Sequence, residues 1–503
     1  MNSASNDMAQ HEAQPEALKG RWAALAVLLC ASFMNLLDVT IVNVALPSIQ
    51  QGLKASDSAI EWIVAGYVLV FALGLLPFGR LGDIIGRRRI FLVGVTLFTI
   101  ASGLCGLSHT TYLLVAARFF QGLSAAIMTP QVLALATVMF SAHERPRAFG
   151  MFGMTAGLAT VLGPVIGGLL IDYNVFGLGW RAIFLINLPI GVFAVIAGRR
   201  LIPHAPRRAG MRNDYLGIVL VALAMFCLIF PLVEGRSFGW PLWCFAMMFA
   251  ALPLLVIFIL WQRRQARRDG PQLLSFSLMK SREFVAGAAM SVFFFSTIPG
   301  FFFCMALFLQ VGFEFTPLHS GLTTVPFSIG VFIASFLGGR LGRIPSKLRV
   351  IGGTIVLAVG LFWVRNEVMK IGDVVPALQL AAPLFVSGFG LGVAIASIFQ
   401  TILAGVPHQD AGAASGALQA VQQLGGAFGI TISSGIFFLR IATMTADGSG
   451  PHLAYSDAFA QAIIYSLCAY GAVVLLALLL KGAPGNGTRK SGADMRKAAP
   501  QLH

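Results

Sequence analysis

The sequence predicts an all-α polytopic membrane protein with fourteen spanning helices, and three observations carry that reading. Of its 503 residues, 57% are hydrophobic and 11% charged, a charged share well under half that of a soluble domain; mean hydropathy is +0.82. About fourteen continuous apolar segments are long enough to cross a bilayer, which takes ~20 residues as a helix. The basic residues collect in every second connection between those segments, as the positive-inside rule requires.

In chain order, the first three spans are expected near 22–47, 58–79 and 90–108. The polar tail before them carries both charge signs and lacks the short apolar core of a cleaved signal, so the first span stays in the membrane. The second ends in the basic, Gly-rich "GRLGDIIGRRR". Spans four to six follow at 112–138, 147–171 and 180–198. Spans seven and eight, at 215–233 and 240–262, are bracketed by the richest basic segments, 198–214 and 261–283. The last six are read at 284–310, 319–339, 349–366, 376–403, 413–439 and 458–480. Unbroken apolar runs of this length satisfy their backbone polar groups as helices.

With the N-terminus in the cytoplasm, about 28 of the 35 Lys and Arg fall in inward segments and about 6 in outward loops, leaving Arg118 inside a span. Both termini are therefore expected to be cytoplasmic, in a plasma (bacterial inner) membrane. The net charge of +15 follows from topology, and no nucleic-acid partner is expected. Cys30, Cys105, Cys227, Cys244, Cys304 and Cys468 lie in or near apolar spans without metal-ligand spacing, and read as small core hydrophobes. The chain divides into a tail (1–20), a six-helix bundle (21–200), basic loops with two inserted helices (201–283), a second six-helix bundle (284–481) and a tail (482–503). "GRLGRIPSKLRVI" (339–351) echoes the loop at 79–91, a sign of repeated halves with a site between them.

Four motifs carry chemistry. In "GRLGDIIGRRR", Gly79, Gly82 and Gly86 permit close backbone approach, while Asp83 can accept from a helix N-terminus or from Arg87, Arg88 or Arg89. Such a loop can latch two helices and release them. In "ARFFQGLSAAIMTP" (117–130), Arg118 lies inside an apolar helix with Gln121 and Gly122 on the next turn; an ionisable group there is a functional candidate. In "GLATVLGPVIGG" (157–168), Gly157, Gly163, Gly167 and Gly168 have the spacing of close helix contact, and Pro164 favours a bend. In "MNLLDVTIVNVALPSI" (34–49), Asp38 lies ~24 Å from Trp22 at ~1.5 Å per residue, about a turn past mid-bilayer. A carboxylate facing lipid there would be costly. One that faces a cavity can exchange its charge for a proton, and one that packs between helices pairs with a donor such as Arg118. Asn35 shares its face at i−3.

These motifs, with "WRAIFLINLPIG" (180–191) and "AGAASGALQAVQQLGGAFG" (411–429), resemble in their order the fourteen-span drug:proton antiporter family of the major facilitator superfamily. The resemblance covers nearly the whole chain. It implies the major facilitator fold, two six-helix bundles plus two inserted helices, and no enzymatic activity. It implies export by antiport, with the proton gradient as energy source and no cofactor. Its motif positions put proton coupling on Asp38 and Arg118, a conformational latch on Gly79, Asp83, Gly86, Arg87 and Arg88, and an antiporter helix on Gly157, Gly163, Pro164, Gly167 and Gly168. The second-half loop departs from the pattern, with Arg343 where an acid would stand.

Substrate contacts are expected from Asn35, Asp38, Gln121, Gln310 and Gln423 through adaptable hydrogen bonds, and from Phe294 and Phe302 through stacking and cation–π contact. The expected partners are small amphipathic or cationic substrates, protons and the lipid bilayer. A periplasmic adaptor serves some relatives, but nothing in this sequence calls for one. The alternative in the same fold is an exporter of one metabolite, antibiotic or lipid. Glu61, Asp172, Glu234 and Glu314 are read as rim residues, which leaves Asp38 as the dominant intramembrane proton site.

Overall fold

The computed structural model describes residues 20–141, 144–203, 213–235, 238–341, 344–403, 406–407 and 410–479. Among these, fourteen helices are long and apolar enough to cross a membrane. They are α1 (Arg21–Leu53), α2 (Asp57–Ile85), α3 (Arg87–Gly106), α4 (Thr111–Met139), α5 (Arg145–Asp172), α6 (Asn187–Leu201, the longer part of a helical span that runs Gly179–Leu201), α7 (Tyr215–Glu234), α8 (Leu242–Arg267), α9 (Arg282–Leu307), α10 (Pro317–Leu341), α11 (Ser346–Val368), α12 (Ala377–Leu403), α13 (Ala411–Ala446) and α14 (Pro451–Leu479). Short helical turns over 175–185 lead into α6, and a π-helical turn, Phe308–Gly312, closes α9. The tails, and Arg343 in the second-half loop, lie outside the described residues.

Side-chain caps fix several helix starts. Ser56 accepts from Ala59 N at 3.4 Å, Thr110 from Leu113 N at 3.3 Å and Asp214 from Gly217 N at 2.9 Å. Each satisfies a donor that the first turn leaves open. Asp214 also accepts from Trp261 Nε1 and Gln262 Nε2, at 2.9 and 2.6 Å, which ties the start of α7 to the end of α8 and closes the inserted hairpin.

Contacts between helix ends give the chain its two faces. Arg21 and Glu144 form an ion pair at 2.7 Å, joining the starts of α1 and α5. Arg88 donates to the Arg199 carbonyl, joining the start of α3 to the end of α6. Lys347 donates to Leu478 O at 2.9 Å, joining the start of α11 to the end of α14. These ends share one face, here the basic face. On the opposite face Arg440 of α13 pairs with Asp457 of α14.

Helices α1–α6 pack as one bundle and α9–α14 as the other; the α7–α8 hairpin leans on α2 and α13. The bundles meet through α2 against α13 and through α5 against α10 and α12. Small residues set these contacts, as expected where lipid leaves no hydrophobic drive between helices. A methyl group on Gly79 would lie 2.5 Å from Gly412 O, and one on Gly416 would lie 2.5 Å from Leu75 O. Apolar side chains on α8 such as Phe249, Leu252 and Leu260 stay exposed, as a lipid-facing helix requires.

The antiporter-helix residues divide by partner. Gly163 and Gly167 face α1, where methyl groups would strike Thr40 and Ile41. Gly157 faces α10, and its carbonyl accepts from Ser328 Oγ at 2.9 Å. Pro164 approaches Gly321 of α10. Gly168 departs from the expected close packing, since its side-chain direction meets no atom within 4 Å.

Candidate functional site

Asp38 is completely buried, within a cluster of four helices. Close approach assembles it. Gly122 of α4 packs on the backbone of Tyr67 in α2, leaving no room for a methyl group, so Arg118 one turn earlier reaches across α2. Its Nε donates to Ile63 O at 3.0 Å. Its terminal nitrogen donates to Asp38 Oδ2 at 2.6 Å and to Gln121 Oε1 at 2.7 Å. Gln121 Nε2 and Asn187 Nδ2 donate to Asp38 Oδ1 at 2.8 and 3.0 Å. Gln121 Nε2 also reaches Ser102 Oγ at 2.8 Å, and the Cys105 thiol lies 3.4 Å from Gln121 Oε1.

Every side chain in this cluster from Asp38, Ser102, Cys105, Arg118, Gln121 and Asn187 is buried. The pair exists because each charge meets hydrogen-bonding groups on both sides; a buried ion pair without them would be unstable. Cys105 is thus part of a polar cluster, not simply core filler. Asn187 and Ser102 were missed from the sequence. The signal for Asn187 was a lone amide in the apolar "FLINLPIG".

A separate cavity of about 1000 Å³ lies between the bundles. Helices α1, α2, α4, α5, α7, α9, α10, α12 and α13 all contribute to its wall. Its aromatic wall includes Tyr67, Phe295 and Phe302, and its amides are Asn35, Gln419, Gln422 and Gln423. Leu46, Ile60, Glu234 and Gly435 take it toward the face opposite the basic one. Its size fits a drug-sized molecule.

The expected substrate residues therefore separate. Asn35, Phe302 and Gln423 line the cavity. Asp38 and Gln121 do not: they sit in the sealed cluster behind the wall. Phe294 is fully buried against Phe295 and Tyr470, because the cavity takes the helical stripe 295, 298, 299, 302 and 303, and residue 294 falls beside it. Gln310 is also off the wall; its amide donates to Ser320 at 3.3 Å near the end of α9.

Tyr67 joins the two regions. It is among the residues that line the cavity, and its ring lies 4.2 Å from the Arg118 guanidinium carbon. Its hydroxyl donates to Asn35 Oδ1. One residue of the cavity wall thus packs on the ion pair. The sequence reading passed over Tyr67 because an aromatic in a span is usually packing.

The basic face is closed by a second polar assembly. Asp83 Oδ1 accepts from Arg87 Nε and Nη2 at 2.9 and 2.8 Å, and from Gly412 N at 3.0 Å. Oδ2 accepts from Ala413 N at 2.9 Å. One carboxylate of the first bundle thus holds the N-terminus of α13 in the second, where free N–H groups favour an anion. Arg80 adds an ion pair to Asp410 at 3.4 Å. Gly86 has φ 116, a conformation open to glycine, and lets α3 start directly after α2. Arg88 donates to the Arg199 carbonyl at the end of α6.

Residues 28–430 match the model of the Major Facilitator Superfamily. The chain belongs to that superfamily. It is 43% identical over 430 residues to the probable actinorhodin transporter of Streptomyces coelicolor, covering 85% of this chain and 74% of that one. It is 33% identical to the tetracenomycin C resistance and export protein of Streptomyces glaucescens, over 86% and 78% of the two chains. It is 30% identical to a puromycin resistance protein of Streptomyces alboniger, over 91% and 90%. Among solved structures, the proton:xylose symporter XylE superposes with a TM-score of 0.59 at 13% identity, covering 89% of this chain and 95% of that one. That likeness concerns the fold. The chain is an integral multi-pass membrane protein, and its superfamily is one of transporters.

Proposed function

We propose that this transporter is a proton-driven exporter of amphipathic, often cationic compounds, working by alternating access in a bacterial inner membrane. The single observation that carries this reading is the pairing of a drug-sized aromatic cavity with a sealed Asp38–Arg118 cluster, separated from it by Tyr67. The basic residues argue for a cytoplasmic basic face and cytoplasmic termini. On that orientation this conformer is closed to the cytoplasm, and the cavity extends outward.

The chemistry follows from the parts. Asp38 is neutralised either by Arg118 or by a proton, and the two alternatives compete. Protonation frees Arg118 from its anion and loosens the contact with Tyr67 and Asn35, which form the cavity wall. Substrate leaves on the outward side as the proton enters. Proton loss to the cytoplasm restores the pair and the binding wall. One charge falling through ~100 mV supplies ~2.3 kcal/mol. The proton gradient is the energy source, and no cofactor enters the cycle.

Resemblance to transporters named for single antibiotics favours one further reading, a dedicated exporter of one metabolite, antibiotic or lipid. A competition profile confined to one scaffold distinguishes it from broad specificity.

Proton release from acidified everted vesicles tests the proposal. Adding a panel of amphipathic compounds is expected to discharge the gradient in vesicles containing the protein and not in empty ones. Phe302→Ala is expected to raise the half-maximal concentration roughly thirtyfold, since an aromatic contact to a desolvated cation is worth about 2 kcal/mol. Phe294→Ala, which removes no wall residue, leaves it nearly unchanged. Absence of any discharge with correctly inserted protein overturns the antiport reading.

A further inference from the structure

The inserted hairpin contributes to the cavity. The sequence reading took Glu234, the last residue of α7, as a rim acid. The structure buries it, 4% exposed, on the cavity wall with Leu232 and Val233. Among the described wall residues it is the one carboxylate. Asp38 has no access there.

Among the described residues after α7, Trp240 packs back on the end of the helix. Gly235 N bonds to Pro231 O at 2.8 Å and ends the helix. Trp240 then turns back: its N–H donates to Gly235 O at 2.7 Å, and its φ of 54 is in the left-handed region. A methyl group on Gly235 would lie 2.9 Å from the Trp240 ring. Holding a bulky residue at positive φ is unfavourable. The result is an indole folded over the end of α7, lining the same cavity as Glu234. Thr431 fastens this end of α7 to α13 by donating to Leu232 O at 2.8 Å.

A buried carboxylate and an indole on the wall of one cavity are the chemistry that recognises an organic cation. The carboxylate supplies charge and the ring face supplies quadrupole attraction and apolar contact. Glu234 is already engaged within the protein, so a cation would take it by exchange. Neutral and anionic aromatic compounds would use the amides and phenylalanines instead.

We infer that Glu234 and Trp240, both supplied by the inserted hairpin, form a binding subsite for monovalent lipophilic cations at the outer part of the cavity. This rests on the exporter reading and names the element that sets its charge preference.

Equilibrium binding to the purified full-length protein in lipid nanodiscs tests it, with tetraphenylphosphonium and tetraphenylborate as probes of near-identical shape and opposite charge. Glu234→Gln is expected to weaken tetraphenylphosphonium at least tenfold while tetraphenylborate affinity stays within twofold or rises. Glu234→Asp retains the charge and is expected to fall between. Retained tetraphenylborate binding shows that the variant is folded. Equal changes for both ions, no change for either, or a wild type that does not bind the cation would overturn the inference. The readout needs no transport, so failure of proton antiport and failure of this subsite give different results.

Discussion

Replacing either partner of the buried pair alone is expected to stop export and to destabilise the fold by about 3–5 kcal/mol, the cost of leaving one charge buried without its counterpart. The two single variants are not equivalent. In Arg118→Gln, Asp38 keeps the amide donors of Gln121 and Asn187 and can also take up a proton. In Asp38→Asn, Arg118 remains a cation that cannot be neutralised, with Ile63 O, Gln121 and the Tyr67 ring as its remaining partners. Asp38→Asn should therefore be the more damaging. The paired variant, Asp38→Asn with Arg118→Gln, removes both charges and should lose far less than the sum of the single losses. Thermal unfolding of the four purified proteins reads this out. Strict additivity would mean that the ion pair seen here is not coupled.

Asp83→Ala is expected to shift the protein away from the conformer closed at its basic face. The carboxylate makes two bonds to Arg87 and two to the N-terminus of α13. Bonds to charged groups contribute about 1.5–3 kcal/mol each. Loss of the pair that crosses between bundles should change a two-state balance by roughly tenfold or more. Spin labels at Ile85 of α2 and Leu348 of α11, both exposed on the basic face, report this. In a background without the native cysteines, Asp83→Ala should move the distance distribution to longer values. An unchanged distribution would show that packing at Gly79 and Gly412, and not the carboxylate, keeps the face closed.

The spans could be read from sequence because crossing a bilayer imposes a length and an apolar composition that no local contact alters. All fourteen appear near their expected positions. Helix ends were less legible. Helix α13 continues to Ala446, past the expected end at 439, because helix need not stop at the edge of the hydrocarbon. The pairing of Asp38 with Arg118 was readable as one of two alternatives, because two opposite charges in apolar spans must be satisfied somewhere.

Side-chain direction was harder. The α1 wall residues are Ser32, Asn35, Leu36, Val39 and Leu46, so Asp38 falls beside the stripe even though it lies three residues from Asn35. In α9 an offset of one residue separates buried Phe294 from Phe295 on the wall. Hydropathy has no sign for which apolar face meets a neighbour, lipid or a cavity. That information comes from small residues on partner helices, such as Gly122 beneath Tyr67. Glu234 was misplaced for a related reason. A carboxylate at a helix end suits an aqueous rim, and only the return of Trp240 over that end encloses it.

The central claim is that substrate in the cavity and a proton on Asp38 exclude each other. Titrating substrate into purified protein in weak buffer and recording pH tests it most directly, with wild type beside the paired variant Asp38→Asn, Arg118→Gln. The account predicts that substrate binding releases protons from the wild type, and that the paired variant binds substrate and releases none. Equal proton release from the paired variant would contradict it and put the coupling site elsewhere in the protein.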